Sequence, residues 1–223
     1  MHYIPDLISK YFWIFFFAML SYSLVAQEVN GFEEDVIALG KKYDSLWDRN
    51  RESLVFTGSS SIRLWENLQD YFPQHQIINT GFGGSQTTDL LVYLEELVLK
   101  YEPAKVFIYE GDNDINDKVK PVKIIKITKE VITQIKKTGR TTSIVLISAK
   151  PSIKRWHLRR KYRRFNRKLE KLSKTDPLLE FANVWDPMLE RRKLKEDLFI
   201  EDGLHMNLKG YEIWYEVISK FVN

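Results

Sequence analysis

From residue 54 onward the chain alternates short apolar runs with longer amphipathic stretches, and that alternation restricts it to few folds. The short runs lie at 54–57, 76–79, 105–109, 143–148 and 179–185. Apolar residues recur at helical spacing over 87–100, 121–137, 154–172 and 207–221, and over 32–47 ahead of the first run. Runs that are apolar almost throughout belong to strands buried on both sides, as in a parallel sheet with helices on each face. The expected fold class is therefore α/β, a three-layer α/β/α sandwich on a five-stranded parallel sheet. No internal repeat, low-complexity stretch or linker divides residues 27–223, which are expected to form one domain.

The first residues read differently. Lys10 precedes a dense apolar run from Tyr11 to Leu20; Ser21, Ser23 and Ala26 follow, then the polar Gln27 and Glu28. A basic flank, a short apolar core and small residues after it describe a secretory signal, with cleavage expected near Ala26. The run is short for a bilayer span, which needs about 20 apolar residues. The other reading is an uncleaved membrane anchor. The first places the mature chain outside the cytoplasm; the second tethers it to the membrane.

Composition excludes some chemistry. The 223 residues include no cysteine, so disulfides, thiolate nucleophiles and cysteine-based metal sites are ruled out. The net charge of +4 does not by itself point to nucleic acid. The charge is nevertheless concentrated: the 154–174 segment is crowded with Lys and Arg and holds almost no acid. It reads as a solvated helix face, or as a surface for peripheral contact with an anionic membrane or glycan. Trp156, Tyr162, Phe165 and Leu169 are the expected apolar stripe of that helix, and Trp156 is also a candidate for the substrate cleft.

In an open parallel sheet, ligands bind beyond the carboxyl ends of the strands. There the chain carries Gly58-Ser59-Ser60-Ser61 after the first run and Gly81-Phe82-Gly83-Gly84-Ser85 after the second. Gly111-Asp112-Asn113-Asp114 follows the third. Near the C-terminus stands Asp202-Gly203-Leu204-His205. Of the four histidines, only His205 has a carboxylate three residues earlier. That spacing lets one turn of backbone aim Asp202 at Nδ1 of the imidazole and leaves Nε2 free to take a proton. A competing reading makes Asp202 the cap of the final helix. The glycines after the second run lack both the dinucleotide fingerprint and the P-loop lysine. A cation site on Asp112 and Asp114 lacks a clustered third ligand.

These four blocks, in this order, resemble those of the SGNH/GDSL hydrolases, the GDSL-like lipases and acylhydrolases. The resemblance covers nearly all of the chain after residue 26. It implies a flavodoxin-like sheet of order 2-1-3-4-5 and a serine hydrolase that cleaves carboxylic esters. It further implies Ser60 as nucleophile with His205 and Asp202, and an oxyanion hole from the Ser60 and Gly84 N–H groups and the Asn113 amide. Gly83 is the alternative donor to Gly84. Ser59 and Ser61 stand where the family usually has Asp and Leu. Neither cofactor nor metal is implied. The expected partners are lipid, acyl or O-acetylated glycan esters, with no nucleic acid. A non-catalytic glycan- or lipid-binding protein on the same fold is the alternative. In the implied strand order the first and fifth strands lie ~14 Å apart. The chain after Asp186 is long enough to return His205 to Ser60.

Overall fold

A computed structural model describes residues 31–222; the expected signal or anchor lies outside them. The strands are β1 (Ser53–Gly58), β2 (Gln76–Gly81), β3 (Lys105–Tyr109), β4 (Ser143–Ile147) and β5 (Leu179–Ala182). They form one sheet of order β2-β1-β3-β4-β5, parallel throughout. The helices are α1 (Glu33–Asp44), α2 (Ser60–Arg63), α3 (Leu68–Tyr71), α4 (Thr87–Val92), α5 (Leu94–Leu97), α6 (Asp112–Asn116), α7 (Pro121–Lys137), α8 (Arg159–Ser173) and α9 (Leu208–Ile218). A small antiparallel pair, β6 (Leu189–Glu190) and β7 (Lys193–Leu194), lies outside the sheet.

Alternation along each strand divides the core between two faces. Val55, Val106, Ile108, Ile144 and Leu146 pack with buried residues of α1, α4, α5, α7 and α8. Leu54, Phe56, Phe107, Val145 and Ile147 pack with α2, α3 and α9. The second face is strongly aromatic: Phe56 and Phe107 stack at 4.2 Å across neighbouring strands, over wholly buried Trp65 and Trp214. Five apolar strands between two helical layers are what the continuous runs required.

The boundaries differ from expectation where local contacts win. The pattern at 87–100 is not one helix but α4, α5 and a 3-10 turn, broken at Tyr93 and Val98. The 154–172 helix starts only at Arg159, after a 3-10 turn over Trp156–Leu158; ahead of that turn Lys154 N–H donates to the Gly203 carbonyl at 2.9 Å. The fifth strand stops at Ala182; the N–H groups of Val184 and Trp185 turn to the Ser148 hydroxyl.

The register brings three exits to one level. Gly58 pairs with Gly81 on one side and Tyr109 on the other. The segments beginning at Ser59, Phe82 and Glu110 therefore leave the sheet side by side. Residues 183–207 return across the carboxyl edge and bring His205 to the first strand.

Candidate active site

Ser60 begins α2 directly after β1. Gly58 makes that turn possible. It holds φ +131°, and a Cβ there would lie 2.0 Å from the Tyr109 carbonyl oxygen, so only glycine fits. Ser59, the N-cap, is extended and gives its N–H to that same carbonyl at 3.1 Å. The three serines separate by environment: Ser59 and Ser61 are buried, while Ser60 is partly exposed at the rim.

The imidazole of His205 reaches Ser60 from the far end of the chain, Nε2 to Oγ at 3.0 Å. Its other nitrogen, Nδ1, lies 2.5 Å from Asp202 Oδ2. Asp202 Oδ1 accepts the N–H groups of Leu204 at 2.8 Å and His205 at 2.9 Å. One carboxylate oxygen thus folds the turn while the other holds the ring. Burial pushes the Asp202 carboxyl up, but those two N–H groups and the imidazole outweigh it and hold the group at about 2. The cap of the last helix is Asn207, whose side chain accepts from Gly210 N–H at 3.3 Å. The capping reading of Asp202 is thereby corrected.

Asn113, in α6, donates from Nδ2 to Ser59 Oγ at 2.7 Å and to the Ser85 carbonyl at 2.8 Å. The N–H groups of Ser60 and Gly84 have no acceptor among the described residues. Gly84 holds φ +83° and a Cβ there would meet open space, whereas one at Gly83 would strike the Arg63 guanidinium. Asp112 and Asp114 do not share a cation site. Asp114 accepts from the Thr87 N–H and hydroxyl, and Asp112 is committed to Arg155 and two tyrosines.

Sequence reasoning missed several neighbours of this site. Arg155 bridges Asp112 at 2.6 Å and Asn113 Oδ1 at 3.0 Å. Lys150, wholly buried, donates to the Leu204 carbonyl at 2.6 Å. Both follow the fourth strand, yet residue type does not single them out in a stretch that also holds Lys154, Arg159 and Arg160. Glu110 is buried beside Ser85, whose hydroxyl lies 2.7 Å from its Oε1 and 3.2 Å from the Phe82 carbonyl. The shorter contact is the stronger one, with Ser85 Oγ donating to Glu110 Oε1; Glu110 Oε2 is buried with no partner among the described residues. Burial pushes this carboxyl well above its ordinary value; the Ser85 hydroxyl opposes that, and the charges of Asp114 and Asp89 add to it.

A sequence model of the GDSL-like Lipase/Acylhydrolase family matches residues 44–213. The chain belongs to that family. The GDSL-like chain is accordingly a carboxylic ester hydrolase by class. Solved structures share its fold. One is a Streptococcus pneumoniae protein provisionally described as a platelet activating factor. It has 22% identity and TM-score 0.75, over 92% of this chain and 99% of that one. Another is a GDSL-like lipase from Bacteroides thetaiotaomicron, with 22% identity and TM-score 0.69, over 82% and 96%. A third is an acetylxylan esterase from Geobacillus stearothermophilus. It has 17% identity and TM-score 0.64, over 76% and 93%, and its structures include catalytic mutants at a serine, an aspartate and a histidine. A search of curated proteins finds no match.

Proposed function

We propose that the chain hydrolyses carboxylic esters by two-step acyl transfer at Ser60. The observation that carries this reading is the hydrogen-bonded line Ser60 Oγ, His205, Asp202, with separations of 3.0 and 2.5 Å. Serine is a poor nucleophile without an adjacent base. Ser60 Oγ attacks the ester carbonyl carbon and its proton passes to His205 Nε2, while Asp202 steadies the imidazolium. The oxygen that becomes negative accepts hydrogen bonds from the Ser60 and Gly84 N–H groups and from the Asn113 Nδ2 hydrogen that goes to Ser59 Oγ in the free chain, Ser59 yielding it. His205 then protonates the departing alcohol as the C–O bond breaks. In the second step His205 takes a proton from water, whose oxygen attacks the acyl carbon; His205 then returns the proton to Ser60 Oγ as the C–O bond to Ser60 breaks and the acid leaves. The Geobacillus esterase supports the assignment: its catalytic aspartate and histidine mutations are three positions apart, as Asp202 and His205 are.

Lysophospholipids, other acyl esters and O-acetylated glycans all fit this chemistry. A cavity of about 490 Å³ is lined by Trp156, Leu194, Arg159, Arg192 and Glu196 among others and by Ile153, whose side chain also packs against Gly203 of the His205 turn. One tryptophan face among charged groups suits a polar alcohol such as a sugar better than a long acyl chain, so an acetylated glycan is the preferred substrate. A second cleft, of about 860 Å³, is lined by eight Lys and Arg side chains from 118–120 and 160–168 and by no acid. It supports peripheral attraction to an anionic glycan or membrane, as an exported enzyme with residues 1–26 removed would meet.

Turnover of p-nitrophenyl acetate by the purified chain and by Ser60→Ala tests the reading. It predicts near-complete loss in the variant. Equal rates would overturn the nucleophile, and no turnover by either would favour the non-catalytic binding protein. A panel of acyl chain lengths beside acetylated sugars tests the substrate preference. Mass measurement of the chain recovered from the cell envelope tests removal of the first 26 residues.

A further inference from the structure

Beneath the Ser60–His205 pair lies a buried charged cluster that acyl transfer, as just described, does not use. Asp112 accepts from Arg155 Nη1 at 2.6 Å, from Tyr109 OH at 2.9 Å and from Tyr162 OH. Lys150 Nζ lies 3.9 Å from the same carboxylate. Arg155 and Lys150 both belong to the 150–155 loop after β4, and each extends a second contact out of the cluster. Arg155 Nη2 donates to Asn113 Oδ1 at 3.0 Å, and Lys150 Nζ to the carbonyl of Leu204, the residue before His205, at 2.6 Å.

We infer that the 150–155 loop positions both halves of the reaction centre: Arg155 orients and polarises the Asn113 amide, and Lys150 fixes the turn that carries His205. The inference rests on the roles proposed above for Ser60, His205 and Asn113.

The Asn113 amide is locked from two sides. Its oxygen faces a guanidinium, which can only donate, and its nitrogen faces the Ser85 carbonyl, which can only accept. A flipped amide would set donor against donor and acceptor against acceptor. A cation on the amide oxygen also draws electron density from the nitrogen and makes its N–H groups stronger donors. The charge of Lys150 is shared between Asp112 and Asp202, the carboxylate on the His205 turn, and Arg155 carries its charge from Asp112 to the Asn113 oxygen. A fixed charge held out of water beside the position where an oxyanion forms acts more strongly than one in solvent.

The turn is stitched to the same loop at consecutive peptides. Lys154 N–H donates to the Gly203 carbonyl at 2.9 Å and Lys150 to that of Leu204. Ile153 packs against Gly203. A buried ammonium is costly unless paired, and this one spans the distance between Asp112 and the His205 turn. Arg155 and Lys150 are thus positioning residues that act through Asn113 and His205.

The test is a set of double-mutant cycles on the full chain, read as kcat and KM for p-nitrophenyl acetate. Arg155→Lys keeps a charge beside Asp112 but cannot make both contacts. It should lower kcat by about 10- to 100-fold with KM changed less than about 3-fold. In an Asn113→Ala background the same change should cost less than about 3-fold. Lys150→Met should lower kcat by about 10-fold or more, keep that loss in the Asn113→Ala background, and lose it in a His205→Ala background. Val131→Ala, a core change in α7 that takes part in none of these hydrogen bonds, should lower Tm without lowering kcat. Equal losses in all backgrounds, losses carried by KM, or losses that follow Tm across the set would overturn the inference. Should Arg155→Lys fail to fold, the Lys150 cycles still decide. Turnover that survives Ser60→Ala would instead defeat the underlying reading of the nucleophile.

Discussion

His205 and Asp202 keep 23% and 36% of their side-chain surface exposed, whereas Asp112, Lys150 and Arg155 beneath them keep 8%, 0% and 11%. The exposed half is shaped by local backbone and stitched to the 150–155 loop through the Gly203 and Leu204 carbonyls. Two N–H groups within three residues of Asp202 set its carboxylate, and the carboxylate sets the ring. The buried half is held by charges from segments far apart in sequence, each paired because water is absent. Damage to the first should therefore cost rate with little stability, and damage to the second should cost both.

The largest effect expected is in the exposed half. Asp202→Asn should fold normally and lose about 10⁴-fold in kcat, because the amide favours the wrong imidazole tautomer. Unfolding midpoints measured beside kinetics check this, and unchanged turnover would make Asp202 only a turn former. The buried half should break differently. Asp112→Ala leaves Arg155 and Lys150 without their counter-charge and should cost about 3–5 kcal/mol in denaturant unfolding; a loss below about 1 kcal/mol would show the cluster to be solvated. Asn113 joins the halves. Asn113→Ala should lower kcat by about 10²- to 10³-fold and leave KM nearly unchanged, in steady-state kinetics.

The mildest expected effect comes from Glu110. Burial raises its carboxyl in the folded chain, so the folded chain keeps a proton that the unfolded chain loses near an ordinary glutamic acid value of about 4.3. Stability from this group is complete below that pH and is lost as pH rises toward the folded-state value. Glu110→Gln removes the titration. Its stability relative to the parent chain should climb with pH by at most about 1.4 kcal/mol per unit. Urea midpoints between pH 4 and 8 measure this, and a constant difference would mean that Glu110 is ionised when folded.

The same contrast governs what the sequence discloses. The five strands were legible from their apolar runs, and the Ser60 and Asn113 blocks from short patterns at strand exits; the sheet order and the joining of Asp202–His205 to Ser60 were implied only by the resemblance those blocks carry. Arg155 was not, since it lies in a stretch of Lys and Arg where Arg163 looks the same; only the fold sends one to Asn113 and the other to the basic cleft. The β6–β7 hairpin was hidden for another reason. Its turn residues Arg191 and Arg192 hold φ of 46° and 69°, at positions where glycine or asparagine usually gives a turn away. The break of 87–100 into short helices follows from backbone angles at Tyr93 and Val98 that apolar periodicity does not record.

Covalent trapping tests most directly the claim that Ser60, and not its buried neighbour Ser59, is the group that His205 activates. The chain treated with a fluorophosphonate should gain one adduct, mapped by peptide mass spectrometry to Ser60 and strongly slowed in His205→Ala. An adduct on Ser59, or labelling of Ser60 at the same rate without His205, would contradict the account.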